Sequence, residues 1–171
     1  MLTLQSLADA ATVGTAVWSV VGGVAGGVGI NVVYTKFFRA KEKRLISNWK
    51  RPIAIIPSVG DPMAQEARLL EDAAFFDNIT LLPADGRSIN HITDKYRLVV
   101  LRYDKGSTYF WDTYDRITQS QIPVIIYAQQ GEIDRDDFTR IQKYLFHTVC
   151  NTPVRLLSDV SAIMAAYPEG K

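Results

Sequence analysis

The hydrophobic pattern divides the chain into two unlike parts. From Thr12 to Tyr34 no side chain carries a charge, and a dense basic cluster begins at Lys36. At 1.5 Å rise per residue such a run is long enough to cross a hydrocarbon core of about 30 Å as a helix. Beyond Arg51 the pattern changes to short apolar runs alternating with amphipathic stretches. Pro52 to Pro57, Asn78 to Pro83, Tyr96 to Tyr103, Ile122 to Ala128 and Val154 to Leu157 read as five strands. Asp61 and Pro62 read as the N-cap and first-turn proline of a helix carrying Ala64, Ala67, Leu70 and Ala74. Further helices are predicted over Thr108 to Gln119, over Asp134 to Val149 (apolar at Phe138, Ile141, Leu145 and Val149), and from Asp159 or Ser161 through Met164. The stretch Asp85 to Lys95 reads as a polar connection.

Near-continuous apolar strands separated by helices indicate a parallel sheet covered on both faces. The expected architecture is a five-stranded, doubly wound α/β domain of flavodoxin-like order over residues 52–171. It is preceded by a transmembrane helix within residues 1–35 and a basic linker over 36–51.

Charge sets the orientation. Lys36, Arg39, Lys41, Lys43, Arg44, Lys50 and Arg51 follow the apolar run, whereas only Asp9 and the amino terminus precede it. The positive-inside rule then places the carboxy-terminal domain in the cytoplasm of a single-pass membrane protein. After Arg51 there remain 12 basic against 16 acidic residues, a net charge of −4. This balance argues against nucleic acid as a partner; the basic linker is a topology signal and a contact for anionic lipid.

Composition refines the picture of the membrane run. Every fourth position from Ala11 through Thr15, Ser19, Gly23 and Gly27 to Asn31 is small or weakly polar, and Gly22 and Gly26 form a second such pair. Small residues at this spacing let helix backbones approach closely in lipid, so Ser19, Gly22, Gly23, Gly26 and Gly27 are the expected packing positions. The partners implied are the lipid bilayer and either copies of this helix or other transmembrane subunits.

Candidate chemistry is sparser. A lone cysteine, Cys150, excludes an internal disulfide and a cysteine-based zinc site, and His91 and His147 have no carboxylate at metal-ligand spacing, so no metal site is expected. In doubly wound folds ligands bind beyond the carboxyl ends of the strands. Ser58 and Gly60 follow the first strand, Arg87 the second, Ser107 and Thr108 the third and Gln129 the fourth. Glycine beside hydroxyl or charged residues suits the approach of backbone N–H groups to a phosphate or ribose, so these six are the expected contacts of a nucleotide. A receiver-like reading has Asp104 at the end of the third strand. It lacks the acidic pair after the first strand, where only Asp61 stands, and has Ser158-Asp159 in place of the lysine after the fifth, which sets it aside.

Two resemblances sharpen the functional expectation. Leu98-Val99-Val100-Leu101, Ser107 to Asp115 and Ile122-Pro123-Val124-Ile125-Ile126 resemble the middle of a TIR domain. In NAD-cleaving members a glutamate of the matching helix is catalytic; here that position holds Asp115, one methylene shorter, and Asp112 stands at the cysteine position. Ser58-Val59-Gly60-Asp61-Pro62 after the first strand is similar to the first loop of CARF and related Rossmann-like sensors of prokaryotic defence, which bind cyclic oligonucleotides. Some of those sensors carry a single amino-terminal transmembrane helix. The resemblance implies a membrane-anchored sensor or effector, in antiphage defence, whose nucleotide ligand controls assembly of the Gly-rich helices. No catalytic residue is favoured on this reading. The alternatives are a TIR-like NAD-cleaving enzyme acting through Asp115 and a non-catalytic accessory subunit of a larger membrane complex.

Overall fold

A computed structural model describes residues 36, 38–39, 41–84 and 92–166. The predicted membrane run, with Ser19, Gly22, Gly23, Gly26 and Gly27, lies outside the described residues, as does Arg87. No described helix is long and apolar enough to cross a membrane. The chain divides into two compact units at Arg44–Leu45, and the second holds the α/β domain.

The domain contains strands β1 (Ile53–Ile56), β2 (Ile79–Leu81), β3 (Leu98–Arg102), β4 (Val124–Tyr127) and β5 (His147–Cys150). Its helices are α1 (Ala64–Asp72), α2 (Ile92–Lys95), α3 (Thr108–Gln119), α4 (Arg135–Ile141) and α5 (Pro153–Ala166). Residues 41–49 are also helical. The strands form one parallel sheet in the order β2-β1-β3-β4-β5, the flavodoxin-like order expected.

Strand periodicity explains the two covered faces. Successive side chains point to opposite sides of a sheet, so a strand apolar at every position must be covered on both. Ala54, Ile56, Val99, Leu101, Val124 and Ile126 pack with Phe110, Tyr114 and Ile117 of α3 and Ile141 of α4. The intervening Ile53, Ile55, Leu98, Val100 and Ile125 pack with Ala67 and Leu70 of α1 and with Leu156, Val160 and Met164 of α5. Trp49 packs against this second cluster and lies 5.1 Å from the Phe75 ring.

Three local expectations are corrected. The last strand is His147–Cys150, and the predicted strand Val154 to Leu157 belongs to α5. Pro153 opens that helix at its first position, where its missing N–H is harmless, and the Thr152 Oγ1 accepts from Arg155 N–H at 3.3 Å. The helix expected from Asp134 to Val149 is the seven-residue α4, because the chain turns after Ile141 and re-enters the sheet at His147. Finally, Asp61 is not the N-cap of α1; Met63 occupies that position in the left-handed conformation, and Pro62 stands before the helix. Asp61 folds over its own turn instead, one oxygen accepting from Met63 N–H at 3.0 Å.

Candidate functional site

Strand order reverses between β1 and β3, the position where doubly wound folds open a ligand crevice. Here that position is filled from within. Arg102, the last residue of β3, is 5% exposed although charged. A guanidinium taken out of water requires anionic partners and hydrogen bonds, and both are present. Nε donates to Asp61 Oδ2 at 2.8 Å, from the loop after β1. Nη1 and Nη2 grip Glu132, from the loop after β4, at 2.7 and 3.1 Å. Nη1 also donates to the carbonyls of Tyr103 at 2.8 Å and Tyr127 at 3.2 Å. One side chain thereby ties β3 to two loops in the bidentate geometry that makes arginine–carboxylate pairs strong.

Each carboxylate is itself held by backbone. Glu132 Oε2 accepts from Gln129 N–H at 2.7 Å, across a turn in which Gly131 adopts φ 77°. The Ser58 hydroxyl accepts from Asp61 N–H at 3.1 Å. Burial pushes the Asp61 carboxyl up, but hydrogen bonds from Arg102 and Met63 outweigh it and hold the group below the usual carboxylate range. Burial likewise opposes the charge on Arg102, and the bonds to Glu132 and Asp61 overcome it, raising its pKa.

Tyrosines flank the cluster. Tyr103 donates to Asp137 Oδ2 at 2.5 Å. Burial pushes the Tyr127 phenol up to about 12, helped by its hydrogen bond with Glu66. Arg102, Asp61 and Glu132 together carry a net charge of −1, and Glu66 and Asp137 lie on the neighbouring helix ends. For an incoming phosphate to reach Arg102 it would have to displace Glu132, which holds the guanidinium through two hydrogen bonds.

The predicted contacts are only partly gathered. Ser58 and Gly60 lie beside Asp61, with the Ser58 hydroxyl engaged in the turn and nothing within 4 Å of a Cβ built on Gly60. Ser107 caps α3, its hydroxyl accepting from Phe110 N–H at 3.3 Å, and Thr108 beside it is exposed. Gln129 is exposed and lines a hollow of about 300 Å³ with Phe138, Val149, Cys150 and Arg155, beyond β4 and β5 rather than at the strand reversal. The loop after β5 begins at Asn151, so Ser158 and Asp159 lie within α5 and not at a strand end.

Asp115 stands apart from these loops. It lies eight residues beyond the Ser107 cap, about 12 Å along the helix axis. Its carboxylate pairs with Arg140 at 2.6 Å, and the Arg140 guanidinium lies 3.9 Å above the Trp111 ring. The pair borders a hollow of about 390 Å³ between α3 and α4, with Tyr114, Lys143 and Tyr144. Among the described residues no group of three or more His, Cys, Asp or Glu side chains is arranged to hold a metal ion.

Sequence reading missed Arg102 and Glu132. The signal was available: an arginine closing the run Leu98-Val99-Val100-Leu101 enters the buried sheet and must bring carboxylates with it.

No protein-family model and no curated protein matches this chain. Among solved structures, a crystal structure from Burkholderia pseudomallei K96243, described as a pilus assembly-related protein, superposes with a TM-score of 0.54. It is 15% identical, and the match covers 70% of this chain and 92% of that one. The likeness shows the fold: an α/β domain on a five-stranded parallel sheet.

Proposed function

We propose that this chain is a membrane-tethered, non-catalytic assembly subunit. Its Gly-rich amino-terminal helix crosses the bilayer and packs on other transmembrane helices, and its α/β domain makes protein contacts in the cytoplasm. The observation that carries this reading is the Arg102–Asp61–Glu132 cluster, which fills the crevice and commits its cation to internal partners. The structural neighbour described as pilus assembly-related shares the fold, and an assembly role agrees with that description.

The nucleotide-sensing version of the same layout has one observation in its favour. The hollow of about 300 Å³ beside Gln129 includes Arg155 and Asn151, a cation and an amide suited to a phosphorylated ligand. Titration calorimetry on the full chain in detergent separates the two, using NAD, ATP and cyclic dinucleotides as probes. The assembly reading expects no saturable heat from any of them. Saturable binding lost on Arg155→Ala would transfer the assignment to the sensor reading, and NAD consumption lost on Asp115→Ala would transfer it to an enzyme.

A further inference from the structure

All five strands run the same way, so the connections entering them gather at one end of the sheet and those leaving them at the other. The two ends differ in charge. Among the described residues, the entering connections carry Lys50, Arg51, Arg97 and Lys143 against Asp77. The leaving connections carry Asp61, Asp104, Glu132 and Asp134 against Lys105. Helix turns that finish at the entering end add Lys95, Arg116 and Arg140 against Glu71 and Asp72, so that end stays basic. It also presents apolar surface. Leu145 is 90% exposed and Phe146 55%, and both border a hollow of about 460 Å³ with Pro123, Ile163 and Ala166. Val59 and Val154 are exposed at the opposite end, but that end is acidic.

The chain is joined to the domain at this same basic end. Lys50, just before β1, pairs with Asp77 at 3.0 Å, and its carbonyl accepts from Asn78 Nδ2 at 2.8 Å. Trp49 beside it packs into the second core cluster. The segment leading back toward the predicted membrane run is therefore bonded to the entering end. Sixteen residues separate Lys50 from Tyr34, a tether of about 24 Å as helix.

We propose that the entering end of the sheet docks on the surface of an anionic bilayer, with Leu145 and Phe146 in the headgroup region and the basic residues against lipid phosphates. The inference rests on the membrane-tethered reading and deepens it by orienting the domain. Buried apolar area and attraction of cations to anionic lipid add at such a surface. Charge selects the occupant: an anionic bilayer attracts the end that carries Leu145 and repels the end that carries Val59. A short tether keeps the local concentration of lipid high, so a small contact suffices. The loops leaving the strands, with the Arg102 cluster, then face away from the membrane, toward protein partners.

Fluorescence quenching in proteoliposomes of the full chain tests this, in equal parts phosphatidylcholine and phosphatidylglycerol. Cys150 is 1% exposed, so a cysteine added at the surface takes a nitrobenzoxadiazole label selectively. Nitroxide-bearing lipid quenches the label on Leu145→Cys and spares the same label on Val59→Cys, at the acidic end. Arg97→Gln with Lys143→Gln, both at exposed sites, lowers the docked-to-undocked ratio at least about tenfold, since each cation near an anionic surface is worth about fivefold. Equal quenching at the two sites overturns the docking. So does a Leu145→Cys label shielded from water yet untouched by nitroxide lipid, which identifies a protein cover. Carbonate extraction separates the two levels. A chain that stays with the vesicles while quenching is equal keeps the tether and loses the docking; a chain released from them removes both.

Discussion

Arg102 and Glu132 face each other through two parallel hydrogen bonds, 2.7 and 3.1 Å long, across the end of the sheet where a ligand crevice belongs. Because Asp61 closes on the same guanidinium at 2.8 Å, the loops after β1 and β4 are fastened to the central strand. A site that in other doubly wound proteins is left for a ligand is here a staple between three segments of this chain.

Removing one carboxylate should therefore be worse than removing the charge altogether. Glu132→Gln leaves Arg102 buried with a weaker partner and should destabilise the domain by about 2 kcal/mol. Removing the cation as well, with Arg102→Met in the Glu132→Gln background, should recover part of that loss, since a buried guanidinium with a weakened partner costs more than an apolar side chain in its place, while Asp61, one third exposed, keeps water and the Met63 N–H. Urea denaturation followed by far-ultraviolet circular dichroism measures both; additive losses would deny the coupling.

The depressed pKa of Asp61 makes a prediction about acid. Burial raises this pKa, but the Arg102 and Met63 hydrogen bonds more than offset it, so the folded value lies below the unfolded one. A lowered carboxyl pKa contributes stability that is fully present above the unfolded value, about 3.9, and lost as pH falls through the folded value. The stability gap between wild type and Asp61→Asn should hold steady above about pH 5 and shrink below about pH 4. A gap that widens on acidification would contradict the sign.

Ser107 and Asp115 share a helix and should behave differently. Ser107→Ala removes the cap of α3 and should cost about 1 kcal/mol. Asp115→Ala breaks an ion pair with about half of each side chain in solvent, and its effect should stay below about 1 kcal/mol and weaken with salt. Thermal melts at low and high ionic strength check both. On the assembly reading the Asp115 variant leaves cellular NAD unchanged.

Cys150 should be chemically silent in the folded domain. Burial pushes its thiol up to about 12, with Asp159 adding to the rise and Arg155 opposing it. The thiolate is the reactive form, so labelling by a maleimide at pH 7 should proceed only as fast as the domain opens. Fast labelling without denaturant would show that the β5 end of the sheet frays.

The first four strands were legible because Ile53–Ile56, Leu98–Leu101 of β3 and Val124–Tyr127 are apolar on both faces, and Ile79–Leu81 is flanked by turn residues. The fifth was not. His147–Cys150 is a half-buried edge, and Phe138, Ile141, Leu145 and Val149 happen to satisfy helical spacing straight through the turn. Thr152-Pro153 was the overlooked sign, a capping hydroxyl followed by a first-turn proline. At the site, the loops were legible as loops, since strand ends can be counted. Which side chains would meet was not, because Asp61, Arg102 and Glu132 are joined by sheet order rather than by sequence spacing.

The central claim is that this domain serves assembly with its crevice already filled. Native mass spectrometry of the full chain, purified in detergent from its own host, tests it most directly. The account predicts an oligomer of this chain, alone or with other membrane subunits, whose mass is that of its polypeptides. A stoichiometric extra mass of a nucleotide on each copy, or a monomer, would contradict it.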